Sequence, residues 1–179
     1  MTKTTPTLTL ILTGALIALG VLLPMAFHTV GLGRVFLPMH IPVLLAGFLV
    51  GPLPGMVTGM VTPALSALLT GMPPLAPMPV AQTMVFELGT YGLLAGLAYR
   101  KLRLGTLPAL ILAMAGGRLV YGLIGFTLLP LIGLRQVPLL LPLTTGLVTG
   151  LPGLILQLVF VPTVVTLVTG NVKGLWRRS

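Results

Sequence analysis

Long apolar runs alternate along this chain with short stretches of proline, glycine and basic residues. A helix that crosses the hydrocarbon layer needs about 20 mostly apolar residues, within a range of about 17–25. Residues 8–27, 80–99, 107–130 and 143–169 reach that length, and the last is long enough to tilt. Residues 36–51 and 54–70 are shorter and carry Pro38, Pro42, Pro52, Pro54 and Pro63. The pattern predicts six helices, the second and third joined by a tight turn at Gly51-Pro52-Leu53-Pro54. Lys3 precedes the first run as in a signal peptide. That run is of full spanning length and lacks a small-residue cleavage site, so it is expected to stay as the first membrane helix.

Composition turns the apolar runs into a membrane assignment. The 179 residues are 56% hydrophobic and 6% charged, with a mean hydropathy of +1.14. A soluble domain carries about 25% charged residues, and this chain has too few to cover a water-facing surface. The length suits one integral membrane domain over 1–179. The formal charge of +9 does not point to nucleic acid, because the basic residues sit at the ends of segments instead of on one face. Lys3, the group Arg100, Lys101 and Arg103, and the group Lys173, Arg177 and Arg178 all fall on one side of a six-helix arrangement. The positive-inside rule makes that side cytoplasmic, with Trp176 placed as an interfacial anchor. The opposite side receives the loops around Arg34, Gly71-Met72-Pro73-Pro74 and Arg135. The expected fold class is therefore an all-α membrane protein, a six-transmembrane-helix bundle with both termini cytoplasmic, in a prokaryotic plasma membrane.

The chain has no cysteine, which excludes disulfides, thiolate metal sites and cysteine catalysis. Its two histidines and one carboxylate, far apart in sequence, make no recognised metal spacing. Neither a metal nor a cofactor is expected. Small residues four apart recur: Gly14 with Ala18, Gly55 with Gly59, Gly92 with Gly96, Ala113 with Gly117, and Gly146 with Gly150. Such pairs let another helix approach closely. Most are expected to serve packing inside the bundle. The pair in the first helix, where no polar residue ties the segment to an internal site, is the candidate for an external partner.

Glu87 is the single acidic residue, and it lies inside an apolar run. An ionisable group at bilayer depth is costly and marks a substrate or ion pathway by default. At about 1.5 Å per residue it lies roughly 10 Å below the start of its helix. Thr83, Thr90 and Tyr91 share its face by helical spacing. On the fifth helix Arg118, Tyr121, Gly122 and Gly125 share a face. On the sixth, Gly146, Gly150, Gly153 and Gln157 do, and the glycines there leave room for a ligand. Two readings are open: a Glu87–Arg118 ion pair that fixes helix packing, or a cavity that binds a small polar solute. Both hold together if the pair shapes the site. His40 is either a solvated hydrogen-bonder at the membrane interface or a ligand contact. Ser66 lacks a nucleophile motif and is expected to bond within its helix. Arg34 and Arg135 stand near the mouth of such a cavity.

The chain resembles a substrate-binding S component of an energy-coupling-factor (ECF) vitamin transporter. The segments that carry the resemblance are Phe36-Leu37-Pro38-Met39-His40-Ile41-Pro42-Val43-Leu44-Leu45-Ala46-Gly47, Gly71-Met72-Pro73-Pro74, and Phe86-Glu87-Leu88-Gly89-Thr90-Tyr91-Gly92-Leu93. Size, helix count and cytoplasmic termini agree. The resemblance implies capture of a vitamin or precursor near the outer face by helices four to six and capping loops. It also implies association with a transmembrane coupling subunit and two ATPases, and a toppling motion that carries the ligand inward. The S component itself does not hydrolyse ATP, and no phosphate-binding Gly-rich lysine loop is present. Family members dock the coupling subunit through Ala-x-x-x-Ala in the first helix; the matching positions here are Gly14 and Ala18. The substrate contacts expected on this basis are Glu87, Arg118, His40, Thr83, Tyr91, Tyr121 and Gln157. The lack of Trp in the spans disfavours a flat cation such as thiamine. Arg118, His40 and Glu87 suit a modest polar solute such as pantothenate or a pyridine vitamin. The rival reading is a small scaffold or channel-like protein in which Glu87–Arg118 is purely structural. An intramembrane enzyme lacks the nucleophile–base pair or metal set it would need.

Overall fold

The computed structural model describes residues 5–29, 31, 36–75, 79–131, 133 and 150–176. All the regular structure among them is helical. Helix α1 spans Pro6–Thr29, α3 spans Pro52–Thr70 and α6 spans Leu151–Trp176. Three helices end in a wide π-helical turn. Helix α2, His40–Leu45, runs into Ala46–Val50, and α4, Val80–Gly96, runs into Leu97–Lys101. Helix α5, Thr106–Leu123, continues through Ile124–Leu128 to Leu131. Four segments are long and apolar enough to cross a membrane: Pro6–Phe27, Pro52–Thr70, Thr106–Leu131 and Leu151–Gly170.

The second helix corrects the expectation for 36–51. It begins at His40, and its six α-helical and five π-helical residues fall short of a spanning length. Instead it is the centre of the bundle, packed against α1, α3, α4 and α6. Val43, Leu44 and Ala46 are completely buried there, as an all-round apolar helix must be. Gly51 alone turns the chain from α2 into α3, with φ 144, a conformation open to glycine and little else. Pro52 and Pro54 occupy the first turn of α3, where a missing N–H costs nothing. Arg100, read from sequence as a topology charge, donates from Nη1 to the carbonyl of Val50 and so caps the wide turn of α2.

The most extensive helix pair is α3 with α4, and glycine makes it so. A Cβ on Gly55 would stand 2.6 Å from the carbonyl oxygen of Gly92 and 2.7 Å from the Cα of Gly47. One on Gly96 would stand 2.5 Å from the backbone of Pro52. These small-residue pairs serve internal packing. The pair in α1 does not: Gly14 and Ala18 are both exposed, and a Cβ on Gly14 would meet nothing within 4 Å.

The turn after α3 is tied down at both ends. Ser66 is buried, and its hydroxyl donates to the carbonyl of Met72 at 2.7 Å; it bonds across the turn, not within its helix. The Met72 N–H donates to the Thr70 hydroxyl at 3.2 Å. On the far side, the Ala81 N–H donates to Pro74 at 3.1 Å, and Gln82 Nε2 to Leu75 at 3.2 Å. Lys3, Arg34, Arg135, Gly146, Arg177 and Arg178 lie outside the described residues, as do the side chains of Lys173 and Trp176.

Candidate functional site

The face of α4 opposite the glycine seam carries Thr83, Glu87 and Tyr91, all buried. Helix α5 closes on this face because residue 117 is glycine. A Cβ there would lie 2.9 Å from the carbonyl oxygen of Glu87 and overlap the Tyr91 ring. That approach brings the next residue, Arg118, to Glu87, with Nη1 and Oε1 at 3.0 Å. The Tyr91 hydroxyl donates to the same carboxylate oxygen at 3.3 Å. Two donors on one oxygen are the pairing that a buried carboxylate requires. Glu87 is 1% exposed and Arg118 keeps some access, with 16% of its side chain exposed.

His40, at the first turn of α2, stands against Tyr91 with ring centroids 5.3 Å apart. It is 2% exposed, so it is a core histidine and not a solvated interfacial one. Tyr121 lies one turn beyond Arg118 on α5, buried, with its phenol reaching the Thr83 side chain. The Thr83 hydroxyl itself donates to the carbonyl of Val80 at 2.8 Å. Gly150, just before α6, and Gly153 and Gln157 on it are buried. Val161 and Val165 follow Gln157 at helical spacing and join the core cluster that contains Tyr91, Val43 and Leu44. Thr90 departs from the expectation. It is only half-buried, and its hydroxyl donates back to the carbonyl of Phe86 at 2.8 Å, a bond that threonine makes within a helix.

Polar atoms are left over in this region in greater number than elsewhere among the described residues, where the Thr62 hydroxyl and the Gln82 amide oxygen are the others. Nη2 of Arg118 and both amide atoms of Gln157 are buried without a hydrogen-bond partner, and the His40 ring nitrogens, against the Leu37 backbone, make no well-formed bond. Buried polar groups are nearly always paired, because an unpaired one forfeits its hydration without return. The Glu87–Arg118 pair is closed through Oε1 and Nη1. Around it stands a set of donors and acceptors whose bonds are still to be made. Among the described residues no group of His, Asp and Glu is arranged to hold a metal.

A sequence model of the family described as "ECF transporter, substrate-specific component" matches residues 8–165. No curated protein and no solved structure matches the chain.

Proposed function

The chain belongs to the family of ECF transporter substrate-specific components, and from that premise we propose that it captures a small water-soluble vitamin or precursor at the outer face. As a member of that family it is the substrate-specific subunit of an importer and a multi-pass membrane protein. Subunits of this kind carry solutes and are not enzymes. In our reading both termini are cytoplasmic. The ligand is delivered inward together with a transmembrane coupling subunit and two ATPase subunits. The ligand contacts are Glu87, Arg118, His40, Thr83, Tyr91, Tyr121 and Gln157, with the tied turn after α3 as part of the cap.

One observation carries this reading: the unpartnered buried atoms of His40, Arg118 and Gln157 gathered on three helices of the same core. The closed Glu87–Arg118 pair, taken alone, suits a purely structural lock. A lock gains nothing from orphaned amide and imidazole groups, which cost stability. A binding site does, because its ligand supplies the missing bonds. Uptake of radiolabelled vitamins by cells that carry the chain and a coupling module tests the reading. Accumulation of one solute, lost in Gln157→Leu, is the expected result; no uptake of any solute contradicts it.

The partner surface is the outward face of α1, where Ile11, Gly14, Ala18, Leu22 and Met25 recur at helical spacing and are all exposed. Ala18→Trp blocks close approach there. It is expected to abolish copurification with a coupling subunit while leaving solute binding intact.

A further inference from the structure

Resting on the reading of this cluster as the substrate site, we propose that the ligand is uncharged at neutral pH and carries a carbonyl oxygen beside an N–H, as lactams, ureides and primary amides do.

The charge balance of the site leads there. Glu87 is the one acidic residue in the chain. Its Oε1 is already held by Arg118 at 3.0 Å and by the Tyr91 hydroxyl at 3.3 Å. Its charge is therefore already matched by the guanidinium, so a second cation would find no unmatched negative charge in the site. The guanidinium charge is likewise matched. A ligand carboxylate on the free Nη2 of Arg118 would share one guanidinium with the Glu87 carboxylate. In a buried site the two like charges repel strongly at such separations. This revises the sequence-based leaning towards a carboxylate-bearing vitamin: Arg118 is present, but its charge is spent on Glu87.

The unpartnered atoms specify the complement. Nη2 of Arg118 is a donor and asks for an acceptor oxygen. Gln157 offers one carbonyl acceptor and an NH2 donor side by side, with neither partnered. That is the mirror of a cis-amide edge, which pairs with it through two hydrogen bonds. As an imidazole, His40 adds one donor and one acceptor, and its ring packs at 59° to that of Tyr91. Gln157 is buried on α6, which packs against α2 and α5, the helices that carry His40 and Arg118. An amide edge supplies the N–H that Gln157 Oε1 lacks and a carbonyl oxygen for Gln157 Nε2 and Arg118 Nη2, without adding charge.

The test is equilibrium binding to the full chain in lipid nanodiscs, with probes matched in shape and different in charge. Nicotinamide, nicotinate and 1-methylnicotinamide form one set; uracil and orotate form another. Riboflavin, pantothenate and thiamine extend the range. Binding is expected among the uncharged probes, with the neutral member of a matched set at least about tenfold tighter than its carboxylate. Glu87→Gln frees the guanidinium, and it is expected to move that preference about tenfold towards the carboxylate. Binding confined to carboxylates or cations overturns this inference and leaves the site reading intact. Binding of no probe by folded protein overturns both. If Glu87→Gln does not fold, the wild-type panel alone decides; if it folds and its preference is unchanged, the charge argument is wrong.

Discussion

On its α3 side, helix α4 presents Gly89, Gly92 and Gly96; on its α5 side it presents Thr83, Glu87 and Tyr91. The first contact is backbone against backbone, with Gly55 and Gly59 so close that no Cβ fits between the helices. The second also needs a glycine, Gly117, but it delivers a charge pair, and unsatisfied polar atoms stand on α2, α5 and α6 of the same core. In lipid there is no hydrophobic force between helices, so close packing and interhelical hydrogen bonds must hold them together. The α3–α4 seam uses packing to the full and leaves nothing over. The α4–α5 side holds its charge pair, and the core around it carries polar atoms in excess. An excess of that kind lowers stability and is kept where something else is gained, here the binding of a solute.

The largest effect is expected at the seam. Gly92→Val places a side chain onto the backbone of Gly55, which neither helix can relieve. Such overpacking is expected to cost about 4 kcal/mol or more, read as loss of monodisperse protein in detergent. A well-folded Gly92→Val variant would break the comparison from the packing side.

Next comes Arg118→Met, which strands the Glu87 carboxylate. Removing one member of a buried pair costs about 3–5 kcal/mol, seen as a lower unfolding temperature together with lost binding. Adding Glu87→Gln to Arg118→Met is expected to restore stability to within about 1–2 kcal/mol of wild type, since removing both charges of a buried pair is often neutral. Binding stays lost. Binding that returns with stability would make the pair a structural lock only.

Smaller is Ser66→Ala. It removes the hydroxyl that anchors the Met72 carbonyl and leaves that carbonyl only the longer bond from the Thr70 hydroxyl at 3.2 Å, at about 1 kcal/mol. Limited proteolysis of the turn after α3 reads the loosening. The smallest stability change is expected where the functional change is large. Gln157→Leu removes two unpartnered polar atoms from a fully buried position. Its unfolding temperature is expected to stay level or rise, within about 1 kcal/mol, while affinity for the solute falls at least about tenfold.

Much of this contrast can be read in the chain itself. The lengths of the apolar runs give the six helices, and Pro52 and Pro54 after Gly51 give the turn between the second and third. Helical spacing puts Glu87 with Tyr91 and Arg118 with Tyr121, and charge opposition joins the two faces. Other features depend on tertiary contacts that spacing does not carry. His40 looks interfacial because prolines surround it, yet its short helix is drawn into the centre of the bundle. Thr90 shares the spacing of the polar face, but its hydroxyl turns back to the carbonyl of Phe86. Arg100 belongs to a run of basic residues whose sum reports topology, and only the fold shows that it caps α2 at Val50. The orphaned atoms of Gln157 and His40 are invisible to sequence, because a missing partner is a property of packing.

The central claim is that the polar excess on α2, α5 and α6 belongs to a ligand. Mass spectrometry of the small molecules that copurify with wild type and with Gln157→Leu, alongside the unfolding temperature of each emptied protein, tests it most directly. The account predicts a polar solute bound in near-stoichiometric amount to wild type and depleted from a Gln157→Leu variant that unfolds at the same temperature or higher. A variant that retains the solute, or that loses it only by unfolding earlier, would contradict it.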